Sequence, residues 1–351
     1  MPMPAEEGTR ESDYWWLVRV WLLVAVFATV AIIGSRHVGI PFRDPGGDIF
    51  RIRIAVTLAI FVVLVVVDAA VRVGRAGWSV RRVAATVRSR WSGRRLVLAM
   101  AGLLAYHLVY FCYHNLKSWD VFNRPRDRML LQWDHWLFLG HSPAVLLHDL
   151  LGQHVAAYVL LVIYESFSAI VSVSFVASLV FTRRLRDGYV FIASALWVWI
   201  LGVGSYYLIP TLGPFHIAPR EFAGLPHTMV QDTQVQYMAQ RAYLLAHPHA
   251  SGAFAQISAF ASLHVAVTSL ILLMAVYYRL RWAVWGMSFF LVGTILATIY
   301  LGWHYAVDDI AGLAIALIGV GLGRLMIYPK GRPAETRSHP PRAMRGAGLS
   351  S

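Results

Sequence analysis

Long apolar runs separated by short polar punctuation dominate this chain, and their length decides the element type. The runs cover about residues 17–33, 54–71, 96–113, 155–181, 189–209, 263–278, 283–301 and 305–327. Each approaches the roughly 20 residues that a helix needs to cross about 30 Å of hydrocarbon. The pattern therefore predicts an all-α, polytopic membrane bundle of about eight spans. Two long polar segments interrupt it on one side, 114–154 and 210–261, with a very short one near 302–304. In the first, Trp and Leu among charged residues predict a helix lying at the interface, punctuated by Pro143 and Gly152. In the second, Pro210, Pro214, Pro219 and Pro226 predict a stiff loop rather than a helix. Residues 1–95 read as an N-terminal cytoplasmic segment, two additional spans and an Arg-rich loop. Residues 96–328 read as a six-span core, and 329–351 as a disordered basic tail.

Composition agrees with the pattern: 58% of the 351 residues are hydrophobic and 14% charged, with a mean hydropathy of +0.57. The net charge of +13 raises the question of nucleic acid, but its placement answers otherwise. Of the 31 Lys and Arg, 21 fall on the side that carries the Arg72–Arg95 loop and both termini. The positive-inside rule then places both termini in the cytoplasm and the long polar segments outside. No nucleic-acid partner is expected, and the basic loops are left with topology and attraction to anionic lipid. A single cysteine, Cys112, can neither staple the outer loops nor build a thiolate metal cluster. Two lysines against 29 arginines point to a GC-rich bacterium, and so to a bacterial plasma membrane.

The outer ends of the sixth and eighth spans carry the chemistry. His264 opens the sixth and His304 the eighth, 40 residues apart in sequence but on one membrane face by topology. Asp308 follows His304 by four residues, so it shares the same helix face; Asp309 is turned about 100° away. A carboxylate that accepts the Nδ1 proton fixes the imidazole tautomer and frees Nε2 as a nucleophile. A second imidazole nearby can protonate a leaving oxygen and later activate an acceptor. Phosphoryl transfer through a phosphohistidine fits this trio and requires no metal or cofactor. Ser262, at the start of the sixth span, could donate its hydroxyl to a bound phosphate. Most other histidines, including His247 and His249, are assigned to loops.

These residues carry a family resemblance. "FASLH" (Phe260, Ala261, Ser262, Leu263, His264) and "HYAVD" (His304, Tyr305, Asp308) resemble the paired motifs of the phosphatidic acid phosphatase type 2 superfamily. Within it they resemble the branch of inositol phosphorylceramide synthases and their bacterial relatives, with Ala261 in place of that branch's proline. Pro210, Thr211 and Pro214 are similar to its proline-rich loop. The resemblance implies His304 as nucleophile, Asp308 as its orienter and His264 as general acid. It implies a six-helix core over roughly 96–328 and an active site facing outward. The superfamily's Ser-Arg pair ahead of the second histidine is replaced by Ala297 and Thr298, so one phosphate-binding arginine is missing. Arg220 in the proline-rich loop is one substitute. Lys117 and Arg124 match the spacing of the superfamily's Lys-Arg-Pro motif, though two spans intervene before the Ser-His helix.

The expected activity is therefore a membrane phosphoric ester hydrolase or phosphotransferase, acting on a lipid phosphate or phospholipid head group with water or an alcohol as acceptor. Against it stands a channel or transporter with a His/Asp relay, which predicts polar residues continuing through the bilayer. Below Asp309 the eighth span runs "IAGLAIALIGVGLG", with Gly312, Ala316, Gly319 and Gly323 suited to close packing. A haem or metal protein would need histidines buried at depth, and His107 is the one candidate.

Overall fold

The computed structural model describes residues 14–74 and 77–331, and every longer regular element among them is an α-helix. The order is α1 (Trp15–Val38), α2 (Arg51–Val73), α3 (Val80–Arg90), α4 (Gly93–Trp119), α5 (Asp127–Leu137), α6 (Pro143–Leu151) and α7 (Val155–Val180). Then follow α8 (Leu185–Leu208), α9 (Pro214–Ile217), α10 (Met229–Ala246), α11 (Leu263–Tyr277), α12 (Arg281–Tyr300) and α13 (Ala306–Ile327). Most of the expected tail, 332–351, and the first 13 residues lie outside the described residues.

Among the described residues seven helices are long and apolar enough to cross a membrane, where the apolar runs predict eight. The remaining run is α11, apolar but only 15 residues long, about 22 Å at 1.5 Å per residue. Its missing N-terminal turns are replaced by the extended segment 253–261, which is buried almost throughout. Irregular backbone at such depth is tolerable only where protein satisfies it. Ser118 Oγ accepts from Ala255 N, Thr211 Oγ1 from Phe260 N and Ser205 Oγ from Ala261 N. The Ser-His motif thus begins where buried extended backbone meets the shortened helix.

α8 is the hub, the most completely buried of the long helices. It packs against α4, α7, α11 and above all α13, while α1 lies on α4 and α2 on α7. The small residues of α13 explain its close fit: a Cβ at Gly323 would stand 2.3 Å from Ser194 Oγ, and one at Gly319 2.8 Å from Val198. One at Gly312 would stand 2.4 Å from the Ser262 carbonyl, so this glycine fixes the distance between the two motif helices. The outward faces of α1, α2, α7 and α12 keep large apolar side chains exposed, as helices bathed in lipid do.

The Arg-rich loop also has a structural use. Asp68 pairs with Arg72 at 2.9 Å and Arg90 at 2.7 Å. Arg90 and Arg95 donate to the carbonyls of Leu179, Val180 and Thr182 at the end of α7, where cations complement free carbonyls and the helix dipole.

At the end of the bundle that carries the two histidines, the single interfacial helix expected over 114–154 is two helices, α5 and α6. The chain breaks between them at Leu139 and Gly140, both at positive φ, before Pro143 starts α6. The proline-rich loop holds only the short α9 and one 3₁₀ turn, Pro219–Phe222. α10, an 18-residue polar helix begun by a Thr228/Gln231 capping box, has no counterpart in the sequence expectations.

Candidate active site

Three chain segments converge to hold His304. The first is its own helix: Asp308, one turn into α13, accepts from His304 Nδ1 at 3.3 Å and from the Tyr305 amide at 3.0 Å, both at Oδ2. The second is α11: the Ser262 amide donates to the Asp308 carbonyl at 3.0 Å, which locks the two motifs together through backbone. The third is the proline-rich loop. Its Thr211 carbonyl accepts from the Ala259 amide at 2.9 Å, and its Phe215 amide donates to the Gly302 carbonyl at 3.0 Å. Gly213 makes this bridge feasible, since its φ of 108° is hostile to a side chain and a Cβ there would lie 2.7 Å from the Trp303 carbonyl.

His264 is half-buried and faces His304, with ring centroids 5.9 Å apart. Its ring stacks on Tyr164 and leans on Phe167, each at 4.4 Å, so α7 sets its orientation. Lys117, near the end of α4, stands close enough for its charge to act on both imidazoles. Burial, with the Lys117 charge nearby, pushes the His304 imidazole down to about 3. The ring is therefore neutral at physiological pH, as a nucleophile must be. The sign of the pH dependence follows: protonation removes the nucleophile, and with so low a value it remains available as pH falls through the ordinary histidine range. With a phosphodiester substrate, which does not itself titrate there, the acid limb of kcat/KM should lie below about pH 5 rather than near 6.5.

The other expected site residues sit as follows. Ser262 is fully buried; its hydroxyl accepts from the Val265 amide as the N-cap of α11 and also reaches Asp309. Asp309 is buried too and accepts from Thr298 Oγ1 at 2.9 Å. Arg124 and Arg220 are exposed on the segments that connect the long helices. Neither side chain has a hydrogen bond or ion pair among the described residues, and of the three basic candidates Lys117 is the one whose charge acts on both imidazoles. His107 has both ring nitrogens engaged, by Thr57 Oγ1 at 3.1 Å and the Leu103 carbonyl at 2.7 Å.

Two aspartates that sequence reasoning passed over support the site from α5. Asp134 accepts from the Ala306 and Val307 amides at 2.9 and 3.0 Å, capping α13 from another helix. Asp127 accepts from the Leu212 and Gly213 amides and from the Tyr305 hydroxyl at 3.1 Å. Burial pushes the Asp134 carboxyl up from the usual carboxylate range, while the two amides pull it back. The available signal was their spacing of seven residues in an otherwise apolar amphipathic stretch, which puts both on one helix face. Asp134→Ala should lower unfolding free energy by about 1–3 kcal/mol and turnover by about ten- to a hundredfold as His304 loses its fixed position. Thermal unfolding and kcat measured side by side check this.

Helices that bury a paired histidine and aspartate opposite a second histidine, at one end of a membrane bundle, define a helical membrane protein with a phosphatase-like site. The family model of the PAP2 superfamily matches residues 128–322, more than half of the chain, and the protein belongs to that superfamily. Its members are phosphoesterases. No curated protein and no solved structure matches the chain.

Proposed function

We propose that the protein transfers a phosphoryl or phospho-head group to or from a lipid at the outer face of a bacterial plasma membrane, through a phosphohistidine at His304. The observation that carries this reading is the arrangement of His304, oriented at Nδ1 by Asp308, opposite His264 and within reach of the Lys117 charge. His304 Nε2 attacks phosphorus; the N–P bond forms as the P–O bond breaks, and His264 protonates the departing oxygen. In the second half an acceptor hydroxyl loses its proton to His264, attacks phosphorus and releases His304. Lys117 neutralises charge on the phosphoryl oxygens.

Water as acceptor makes the protein a lipid phosphatase. An alcohol makes it a transferase resembling inositol phosphorylceramide synthase. Both routes share the phosphohistidine, so the acceptor is decided by the shape of the loops around the site. The test supplies purified protein with a panel of lipid phosphates and phospholipids, with and without alcohol acceptors, and measures both free phosphate and new phosphodiester. Phosphate release alone would eliminate the transferase.

A further inference from the structure

A cavity of about 460 Å³ lies beside the clamp that holds His304, and no step of the proposed reaction uses it. Its first wall is the start of α5, with Arg126, Asp127 and Arg128. The proline-rich loop, with Leu212 and His216, makes the second, and α10 brings Arg241 to the third. These walls are pinned to the bundle and to one another. The Arg126 amide donates to the Pro210 carbonyl at 2.7 Å, and Asp127 accepts from the Leu212 and Gly213 amides at 3.0 and 2.9 Å. Gln234 holds α10 in place, its Nε2 donating to the Leu301 carbonyl at 2.9 Å. Asp127 also accepts from the Tyr305 hydroxyl at 3.1 Å, so the cavity shares a wall residue with the segment that carries His304. Neither His264 nor His304, Asp308 or Lys117 lines it.

The charges around this cavity do not cancel. Among the described residues no carboxylate forms an ion pair with Arg126, Arg128 or Arg241. Asp127, the one lining carboxylate, is already engaged by two amides and a hydroxyl. The Asp120 charge also reaches Arg241, but that carboxylate accepts from Asn123 and Ser258 at 2.9 and 3.0 Å. Arg126 and Arg128 are exposed, whereas Arg241 is half-buried and its Nε is out of water with no hydrogen-bond partner. A concave surface lined by one sign of charge concentrates ligands of the other. Three guanidiniums against one carboxylate leave two positive charges, His216 set aside. A phosphomonoester, at about −1.5 to −2 near neutral pH, matches them; a carboxylate or a phosphodiester brings only one negative charge. The volume is of the size that takes a small organic molecule rather than a bare ion, and Met129 and Ile217 supply apolar surface for its carbon skeleton.

We propose that this cavity is a second anion-binding site, separate from the phosphate position at His304, which takes the phosphomonoester group of a small organic molecule through Arg126, Arg128 and Arg241. The planar fork of each guanidinium suits a pair of phosphate oxygens. The phosphomonoester has two possible sources, a soluble phosphorylated alcohol and the head group of a lipid phosphate.

The test is equilibrium dialysis of the full chain in detergent against the radiolabelled methylene phosphonate of glycerol 3-phosphate, which cannot be hydrolysed. Lys117→Gln, which disables the catalytic phosphate position, should retain saturable binding of this probe. In that background Arg241→Gln should weaken binding by about tenfold, the worth of a charge-assisted hydrogen bond, and Arg241→Lys should recover part of the loss. Arg126→Gln/Arg128→Gln should weaken it by about tenfold or more; both side chains are exposed, so this variant tests the site even where Arg241→Gln fails to fold. Uncharged glycerol should not compete. Dihexanoyl phosphatidic acid separates the sources: displacement of the probe assigns the cavity to a lipid head group, and failure to displace assigns it to a soluble phosphomonoester. Absence of saturable binding would overturn the proposal, as would binding that survives both sets of arginine substitutions. Binding abolished by Lys117→Gln would also overturn it, because the probe would then occupy the catalytic position. Since the measurement needs neither Lys117 nor turnover, a protein inactive on every lipid phosphate would count against the proposed reaction and not against this cavity.

Discussion

His304→Gln should lower turnover of a lipid phosphate by about 10⁴-fold or more, since removing a covalent nucleophile leaves only binding and electrostatic stabilisation. Glutamine approximates the volume of the imidazole but supplies no nitrogen lone pair to attack phosphorus. The fold should withstand the change, because Tyr305, Ala306 and Val307 keep their hydrogen bonds to Asp308 and Asp134. What is lost is one partner of a buried carboxylate, a cost of about 1–3 kcal/mol in stability. The measurements are turnover in reconstituted vesicles, thermal unfolding, and trapping of an acid-labile phosphoprotein in the wild type. Turnover that persists in a folded His304→Gln protein would refute the phosphohistidine mechanism.

Much of this site could be read from the chain before its structure. His304 and Asp308 are neighbours by helical spacing, and His264 joins them by counting spans, so local periodicity and topology suffice. The length of α11 was less accessible, because its apolar run continues the composition of a full span while its first turns are replaced by extended backbone. That replacement depends on Ser118, Thr211 and Ser205, hydroxyls distant in sequence that carry no periodic signal. Asp127 and Asp134 were hidden for a related reason. Each caps backbone amides of a distant segment, and an aspartate on an amphipathic helix ordinarily marks a solvated face.

Asp308→Asn separates orientation from attack. The carboxylate accepts from Nδ1 and so holds the proton there, leaving Nε2 with its lone pair. An asparagine that turns its amide N–H toward Nδ1 would stabilise the opposite tautomer, with the proton on Nε2 and no lone pair facing phosphorus. The expected loss is about 10³- to 10⁴-fold in kcat, the scale of such tautomer errors in other histidine-carboxylate pairs, with KM little changed because Lys117 is untouched. Asp309→Asn sharpens the contrast. Asp309 is as deeply buried, but it serves Thr298 and Ser262 rather than an imidazole, so its replacement should appear in thermal unfolding more than in kcat. The double variant His304→Gln/Asp308→Asn should be scarcely slower than His304→Gln, because residues that act as one unit are not additive. If the two losses multiply instead, Asp308 acts on something other than the His304 ring, and the Tyr305 amide that shares its Oδ2 oxygen is the place to look.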